Sequence, residues 1–160
     1  MNEKILCNAS PVIFLSKIER LHLLSDLFSE VLIPDGVWNE VNQRPDDAAI
    51  IFNELRASSN LTVFTVKNRT AVMAMIGRLH LGEVEVIVGA GELGIQNVIL
   101  DDGYARSKAK QMGLNVTGTL GILIAGHKKC LIDDLSSDLE KLIDIGFRIS
   151  NSIVQQIKNM

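Results

Sequence analysis

Five short runs of aliphatic residues recur along the chain and constrain its fold more than any other feature. They are Lys4 to Cys7, Glu30 to Ile33, Leu61 to Val66, Asn97 to Leu100 and Leu114 to Thr117. Each is rich in Ile, Leu and Val and is four to six residues long, the length and chemistry of a β-strand. A strand with one wet face alternates apolar and polar residues. These runs are nearly continuous, which suits a parallel sheet covered on both faces. Longer stretches with helical spacing separate them, and alternating β and α elements imply right-handed crossovers. The expected fold is therefore a Rossmann-like three-layer α/β sandwich with a central, mainly parallel sheet. No linker, internal repeat or low-complexity segment interrupts the pattern, so residues 1–160 read as one domain. A content of 47% hydrophobic against 22% charged residues supports a sizeable core.

The helix signals fall between the runs. Ser10-Pro11 offers a capping hydroxyl before a proline at the first helical position, and Ile18, Leu21 and Leu24 follow on one face. Pro34-Asp35 introduces Val37, Trp38 and Val41, a spacing that buries one side and leaves Glu40 near its edge. Gly103 to Met112 predicts a helix with Arg106, Lys108 and Lys110 outward, ended by Gly113. Thr119 is a candidate cap for the next, which carries Leu120, Leu123 and Ile124 to Lys128-Lys129. Two more helices are expected, from Leu135 to Ile145 and from Ser150 with Ile153 and Ile157 facing inward. The face of Ile149, Ile153 and Ile157 either closes the core or forms a seam between two copies.

Several functions are disfavoured. Gly89-Ala-Gly91-Glu-Leu-Gly94 matches a dinucleotide-binding fingerprint, but only Ile95 and Gln96 separate it from the next strand. The fingerprint needs a helix at that point, with its N-terminus on the pyrophosphate. Glu83 to Glu92 reads instead as a helix with a glycine-weakened end. No apolar run approaches the roughly 18 residues of a membrane span, and Met1-Asn-Glu-Lys4 begins no signal peptide, so a cytoplasmic protein is expected. Cys7 and Cys130 are far apart and show no zinc spacing; Cys7 reads as strand filler. His22, His80 and His127 likewise lack ligand spacing and read as surface or core residues. A net charge of −3 does not announce a nucleic-acid binder, although an acidic site can mask a local basic face.

The chemistry gathers at strand ends. Asp101-Asp102 closes the run Asn97 to Leu100, Asn8 follows the first run, Glu40 lies on the helix-like stretch after the second, and Glu83 opens a helix after Gly82. Each has a plain structural alternative. Either aspartate can cap a helix, a role that stabilises by roughly 1 kcal/mol, Glu83 is favoured in a first turn by the helix dipole, and Glu40 reads equally as an exposed helix residue. Adjacent aspartates in a crevice repel one another unless a cation offsets them. Mg²⁺ takes hard oxygen ligands and leaves positions open for phosphate.

At this point the residues resemble a known family. Asn8-Ala-Ser-Pro-Val-Ile13, Leu15-Ser-Lys-Ile18, Leu23-Leu24, Ile33-Pro34, Gly82-Glu83-Val-Glu85, Leu100-Asp101-Asp102, Ala105-Arg106, Gly118-Thr119-Leu-Gly121 and Gly146-Phe147-Arg-Ile-Ser150 resemble the DUF3368 proteins, a branch of the PIN-domain superfamily. The resemblance covers nearly the whole chain. It implies a Mg²⁺- or Mn²⁺-dependent ribonuclease, the toxin of a toxin–antitoxin pair, held in check by a small cognate antitoxin and prone to form a homodimer. It further implies a site of Asn8, Glu40, Glu83, Asp101 and Asp102, with metal ligands Glu40, Glu83, Asp101 and Asp102, and Glu85 as a substitute. Ser10, Lys17, Arg106, Lys108, Lys110 and Thr119 are then candidate RNA contacts; Ser10 and Thr119 read equally as caps, and the basic residues as solvated helix faces. The chain departs from the nuclease pattern at its first acidic position, where Asn8 replaces aspartate. An amide oxygen can coordinate but supplies no charge and no base. That substitution favours the alternative, a catalytically silent module that binds RNA or a protein. With aromatics at 4%, base stacking is not an expected source of affinity.

Overall fold

Successive strand residues point to opposite faces, so a strand in which Ile5, Leu6 and Cys7 are all buried must be covered above and below. The computed structural model describes residues 3–160, and of Ser58 the backbone alone. Met1 and Asn2, which open the stretch read above for a signal peptide, lie outside the described residues. Strands β1 (Lys4–Cys7), β2 (Glu30–Pro34), β3 (Leu61–Phe64), β4 (Asn97–Ile99) and β5 (Asn115–Thr117) form one sheet in the order β3-β2-β1-β4-β5. Every pairing is parallel, and Leu6 stands level with Leu32 on one side and Val98 on the other. Strand β1 matches its apolar run, β2 extends one residue past its run to Pro34, β3 and β4 end short of theirs and β5 begins one residue late; beyond the strands the ladder continues in single bonds from Asn8 N to Ile99 O (3.1 Å) and Leu100 N to Thr117 O (2.9 Å).

The expected α/β sandwich is therefore present. Helix α1 (Ala9–Lys17) and α2 (His22–Leu27) lead from β1 to β2, α3 (Asp35–Asn42) and α4 (Ala48–Ser58) to β3, and α5 (Arg69–Met75) and α6 (Leu81–Leu93) to β4. Helix α7 (Gly103–Gln111) joins β4 to β5, followed by α8 (Thr119–Lys128), α9 (Leu135–Asp144) and α10 (Asn151–Lys158). Helix α6 packs along β1, β2 and β4, while α2, α4 and α8 pack on β2, β3 and β5. Close approach of α6 requires Gly89, because a Cβ there would meet Phe64 Cζ at 2.9 Å. The glycine fingerprint is thus a helix end, closed by Gly94 in the left-handed region at φ 67°. None of the helices in the described residues is long and apolar enough to cross a membrane.

Four local expectations are corrected. Ser10 does not cap α1: Asn8, extended at φ −81° and ψ 169°, ends the strand and begins the helix in one residue, which puts Ser10 in the first turn. The face of Ile18, Leu21 and Leu24 is not one helix, since Glu19 at φ 60° turns the chain between α1 and α2. All three are nonetheless buried. Thr119 does not cap α8, because Gly118 holds that position and Thr119 is the first helical residue. Ser150 does cap α10, its Oγ accepting from Ile153 N at 3.4 Å, but of the two predicted inward isoleucines only Ile157 is buried.

Candidate functional site

From β1 the chain builds outward through β2 and β3, then returns to lay β4 on the other side of β1. Connections leaving neighbouring strands in opposite directions open a crevice at their carboxyl ends, the place where open α/β sheets hold ligands. Asn8 is the first residue after β1, and Asp101 and Asp102 close β4. Glu40 on α3 and Glu83 in the first turn of α6 border the same crevice. Gly82 is their meeting point: a Cβ there would come 3.2 Å from Asn8 Oδ1, 3.2 Å from Glu40 Oε2 and 3.3 Å from Val37. A side chain at Gly82 would press on both oxygens. Among the described residues Asn8 Oδ1 is buried and has no hydrogen-bond partner, which costs free energy unless something donates to that oxygen or is coordinated by it.

Glu83 is 7% exposed, and its Oε2 accepts from His80 N at 3.0 Å. Burial pushes its carboxyl pKa up; the His80 bond opposes this, and the negative charges of Asp102 and Glu40 push it further. The two aspartates have separate employments. Asp101 Oδ1 accepts from Thr119 N (2.8 Å), and its Oδ2 accepts from Thr119 Oγ1 (2.6 Å) and Ser10 Oγ (3.3 Å). It ties the first turns of α1 and α8 to the end of β4. Asp102 caps α7 by accepting from Ala105 N at 2.9 Å, and it is the aspartate whose charge acts on Glu83. The hydroxyls of Ser10 and Thr119, each weighed as a cap, instead meet on Asp101.

The basic candidates divide. Arg106 is not simply outward: it is half-buried, donates to Leu100 O at 2.8 Å, and stands with Asp101 over Gly118, where a Cβ would meet both within 2.9 Å. Lys108 is half-exposed and Lys110 exposed, further along α7 and away from its capped end. Lys17 is not brought to the crevice. It lies at the opposite end of α1 from Ser10, about 10 Å along the axis at 1.5 Å per residue, with its Nζ 3.9 Å from Asp46.

Glu85 does not substitute for Glu83. Two residues along a helix turn the side chain by about 200°, so Glu85 faces α3 and α5, accepting from Gly36 N (2.8 Å) and pairing with Arg69 Nη1 (2.9 Å). His80, read from sequence as an ordinary surface or core residue, lines a cavity of about 440 Å³ with Gly36, Asn39, Glu40 and Gly82. The signal for it was local: a glutamate three residues on, before an apolar run, resembles the spacing of a capping box.

Among the described residues no three His, Cys, Asp or Glu side chains gather around one point closely enough to hold an ion. The donor set nevertheless fits a hard divalent cation. Asn8, Glu40, Glu83 and Asp102 present oxygens; that of Asn8 is buried without a partner among the described residues, and the Glu83 carboxyl is raised first by burial and then by the negative charges of Asp102 and Glu40, which a cation would offset.

A family model described as DUF3368, PIN domain, matches residues 4–160. No curated protein matches the chain. Among solved structures, a PilT N-terminus domain protein from the hyperthermophilic archaeon Sulfolobus solfataricus superimposes with a TM-score of 0.51 at 17% identity, over 76% of this chain and 92% of that one. At that identity the likeness is one of fold.

Proposed function

The chain belongs to the DUF3368 family of PIN domains, a nuclease-type superfamily whose members are generally divalent-metal dependent, and on that premise we propose that it hydrolyses RNA phosphodiesters with Mg²⁺ or Mn²⁺. The observation that supports the reading is that Asn8, Glu40, Glu83 and Asp101-Asp102 border one crevice at the switch point of the sheet. Glu40, Glu83 and Asp102 supply carboxylate oxygens and Asn8 a neutral amide oxygen. Held by these oxygens, a divalent cation would supply water activation and charge to offset the leaving oxygen. Asp101 is a positioning residue, holding Thr119 and Ser10 in place at the floor of the crevice. Arg106 sits where it can meet an RNA phosphate, with Lys108 further out. In the cell this activity fits a toxin restrained by a small antitoxin and working as a homodimer.

A second reading has its own observation. Asn8 brings no charge to the crevice, and Asp101, Asp102 and Glu83 already accept backbone N–H groups. A silent module that binds RNA or a protein needs no more than that. Mn²⁺ titration by calorimetry, paired with cleavage of a mixed RNA pool, separates the two. Native protein should bind metal and cleave, and the combined Glu40→Gln, Glu83→Gln, Asp102→Asn variant should lose both. A native chain that neither binds metal nor cleaves sinks the nuclease reading.

A further inference from the structure

One edge of the crevice carries a pair of side chains that the acidic site does not use. Tyr104, the single tyrosine of the chain, stands in the first turn of α7, two residues beyond Asp102. Tyr104 is 43% exposed. The guanidinium of Arg78 lies over that ring, 4.3 Å from its centroid. Arg78 comes from the short loop before α6, where Ile76 bridges Leu79 and Gly77 N donates to Leu79 O at 3.3 Å. That loop leads directly into His80 and Glu83. The pair therefore joins the two segments that carry Glu83 and Asp102, and it does so at the surface. Packing does not explain an exposed aromatic at this point, since Tyr104 is outside the buried core while Ala105 beside it is fully buried.

An exposed ring with a cation on one face offers what a single nucleic-acid strand needs: a surface for one base and a charge for its phosphate. We propose that Tyr104 and Arg78 form a nucleobase-stacking subsite that takes one unpaired base of an RNA strand at the edge of the acidic crevice. The base stacks on the open side of the ring, and Arg78, exposed to solvent, neutralises the adjoining phosphate. Bases in an RNA duplex are stacked inward and unavailable to such a ring, so the subsite selects single strands. The inference deepens the RNA reading above and rests on it. It also revises the expectation that stacking contributes nothing here: few aromatics are needed when one stands at the crevice.

Binding of a short 5′-labelled oligoribonucleotide, alone and annealed to its complement, is measured by anisotropy in EDTA, so that cleavage plays no part. Native protein should prefer the single strand. Tyr104→Ala should weaken single-strand binding about 5- to 100-fold and leave duplex binding unchanged, while Tyr104→Phe keeps the native affinity. Arg78→Ala should weaken it too and flatten the salt dependence by about one phosphate contact, a change in log–log slope of roughly 0.7. A far-UV spectrum shows whether each variant is folded, and Arg78→Ala tests the pair with the ring intact. Native single-strand affinity in Tyr104→Ala overturns the subsite and leaves the ring as a contact for a protein. Equal losses on single and double strands, or loss in Tyr104→Phe as large as in Tyr104→Ala, overturn it as well. A native chain that binds no RNA at all sinks the RNA reading together with the subsite, whereas a chain that binds through Tyr104 but cleaves nothing sinks only the nuclease.

Discussion

Asn8 is a neutral amide and Glu83 an ionisable carboxyl at the same crevice, and each can be tested by a change of a single atom group. Asn8 Oδ1 is buried, unpartnered and close to Gly82, across from Glu40. Asn8→Asp would add a further carboxylate to a crevice where Glu83 is already pushed up by burial and by Asp102 and Glu40. Without metal the variant should melt lower than the native chain; with Mn²⁺ it should melt higher and bind the ion more tightly. Calorimetry and thermal unfolding with and without Mn²⁺ read both, and an ion affinity no better than native removes Asn8 from the site. Glu83 gives a pH signature. A carboxyl whose folded pKa is raised binds its proton more tightly when folded, so its contribution is present below the ordinary glutamate range and is lost as pH rises through the raised value. Glu83→Gln, which can still accept from His80 N, should therefore gain stability over native as pH rises from acid to neutral, with the gap closing in acid. Urea midpoints across that range check the sign. At this scale the sequence was informative about which polar side chains border the crevice, because carboxylates at strand ends are conspicuous. It was silent on their employment: Ser10 and Thr119 have the chemistry of caps, and only the fold reveals that both hydroxyls converge on Asp101.

Helix α6 is the element on which the site depends. Gly82 makes room for Asn8 and Glu40, Glu83 faces Asp102, Glu85 holds Gly36 and Arg69, and Gly89 lies against Phe64. At its far end Glu92 accepts from Lys67 N and Asn68 N, each at 3.0 Å, and so fixes the start of α5. The near-neighbours Glu83 and Glu85 should behave differently because they face different ways. Glu85→Ala leaves the Gly36 N–H without its acceptor and the half-exposed Arg69 without its pair, at a cost of about 1–3 kcal/mol by denaturant unfolding. Glu85→Gln, which keeps an acceptor, should lose less, and neither should alter Mn²⁺ binding. A metal affinity that falls with Glu85→Gln would return Glu85 to the site. Strands and the later helices were legible because their apolar residues are dense. Helices α4 and α5 were not. Helix α5 spans seven residues and buries only Val72; so short a helix is marginal alone and stands here through the Asn68 cap and Glu92, contacts that no local pattern reveals.

For the molecule as a whole, five parallel strands were readable, but their order was not: only β1, β2 and β4 are buried as their apolar runs suggest, while β3 and β5 are half-covered edges; the position of β1 beside β4 is what turns scattered acids into one crevice. Whether the C-terminal helices belong to the same cooperative unit as that sheet turns on a polar strut. Arg20, in the turn between α1 and α2, donates through Nε to Asp138 Oδ2 on α9 at 2.7 Å. Asp138 is 1% exposed, and its remaining partner, Lys141, is more distant at 3.7 Å. Removing one member of a fully buried pair costs about 3–5 kcal/mol, because the other charge stays buried alone. Arg20 is partly wet and Lys141 remains, so Arg20→Ala should cost less, about 2–3 kcal/mol. If residues 1–160 fold as one domain, as we propose, that loss lowers a single transition. Fluorescence of Trp38, on α3 beside the site, and the far-UV helix signal then shift together to the same lower urea midpoint. If α9 and α10 unfold on their own, the helix signal falls first in Arg20→Ala while Trp38 keeps its native midpoint. The crevice would then be held by β1 to β5 and α1 to α8 without them.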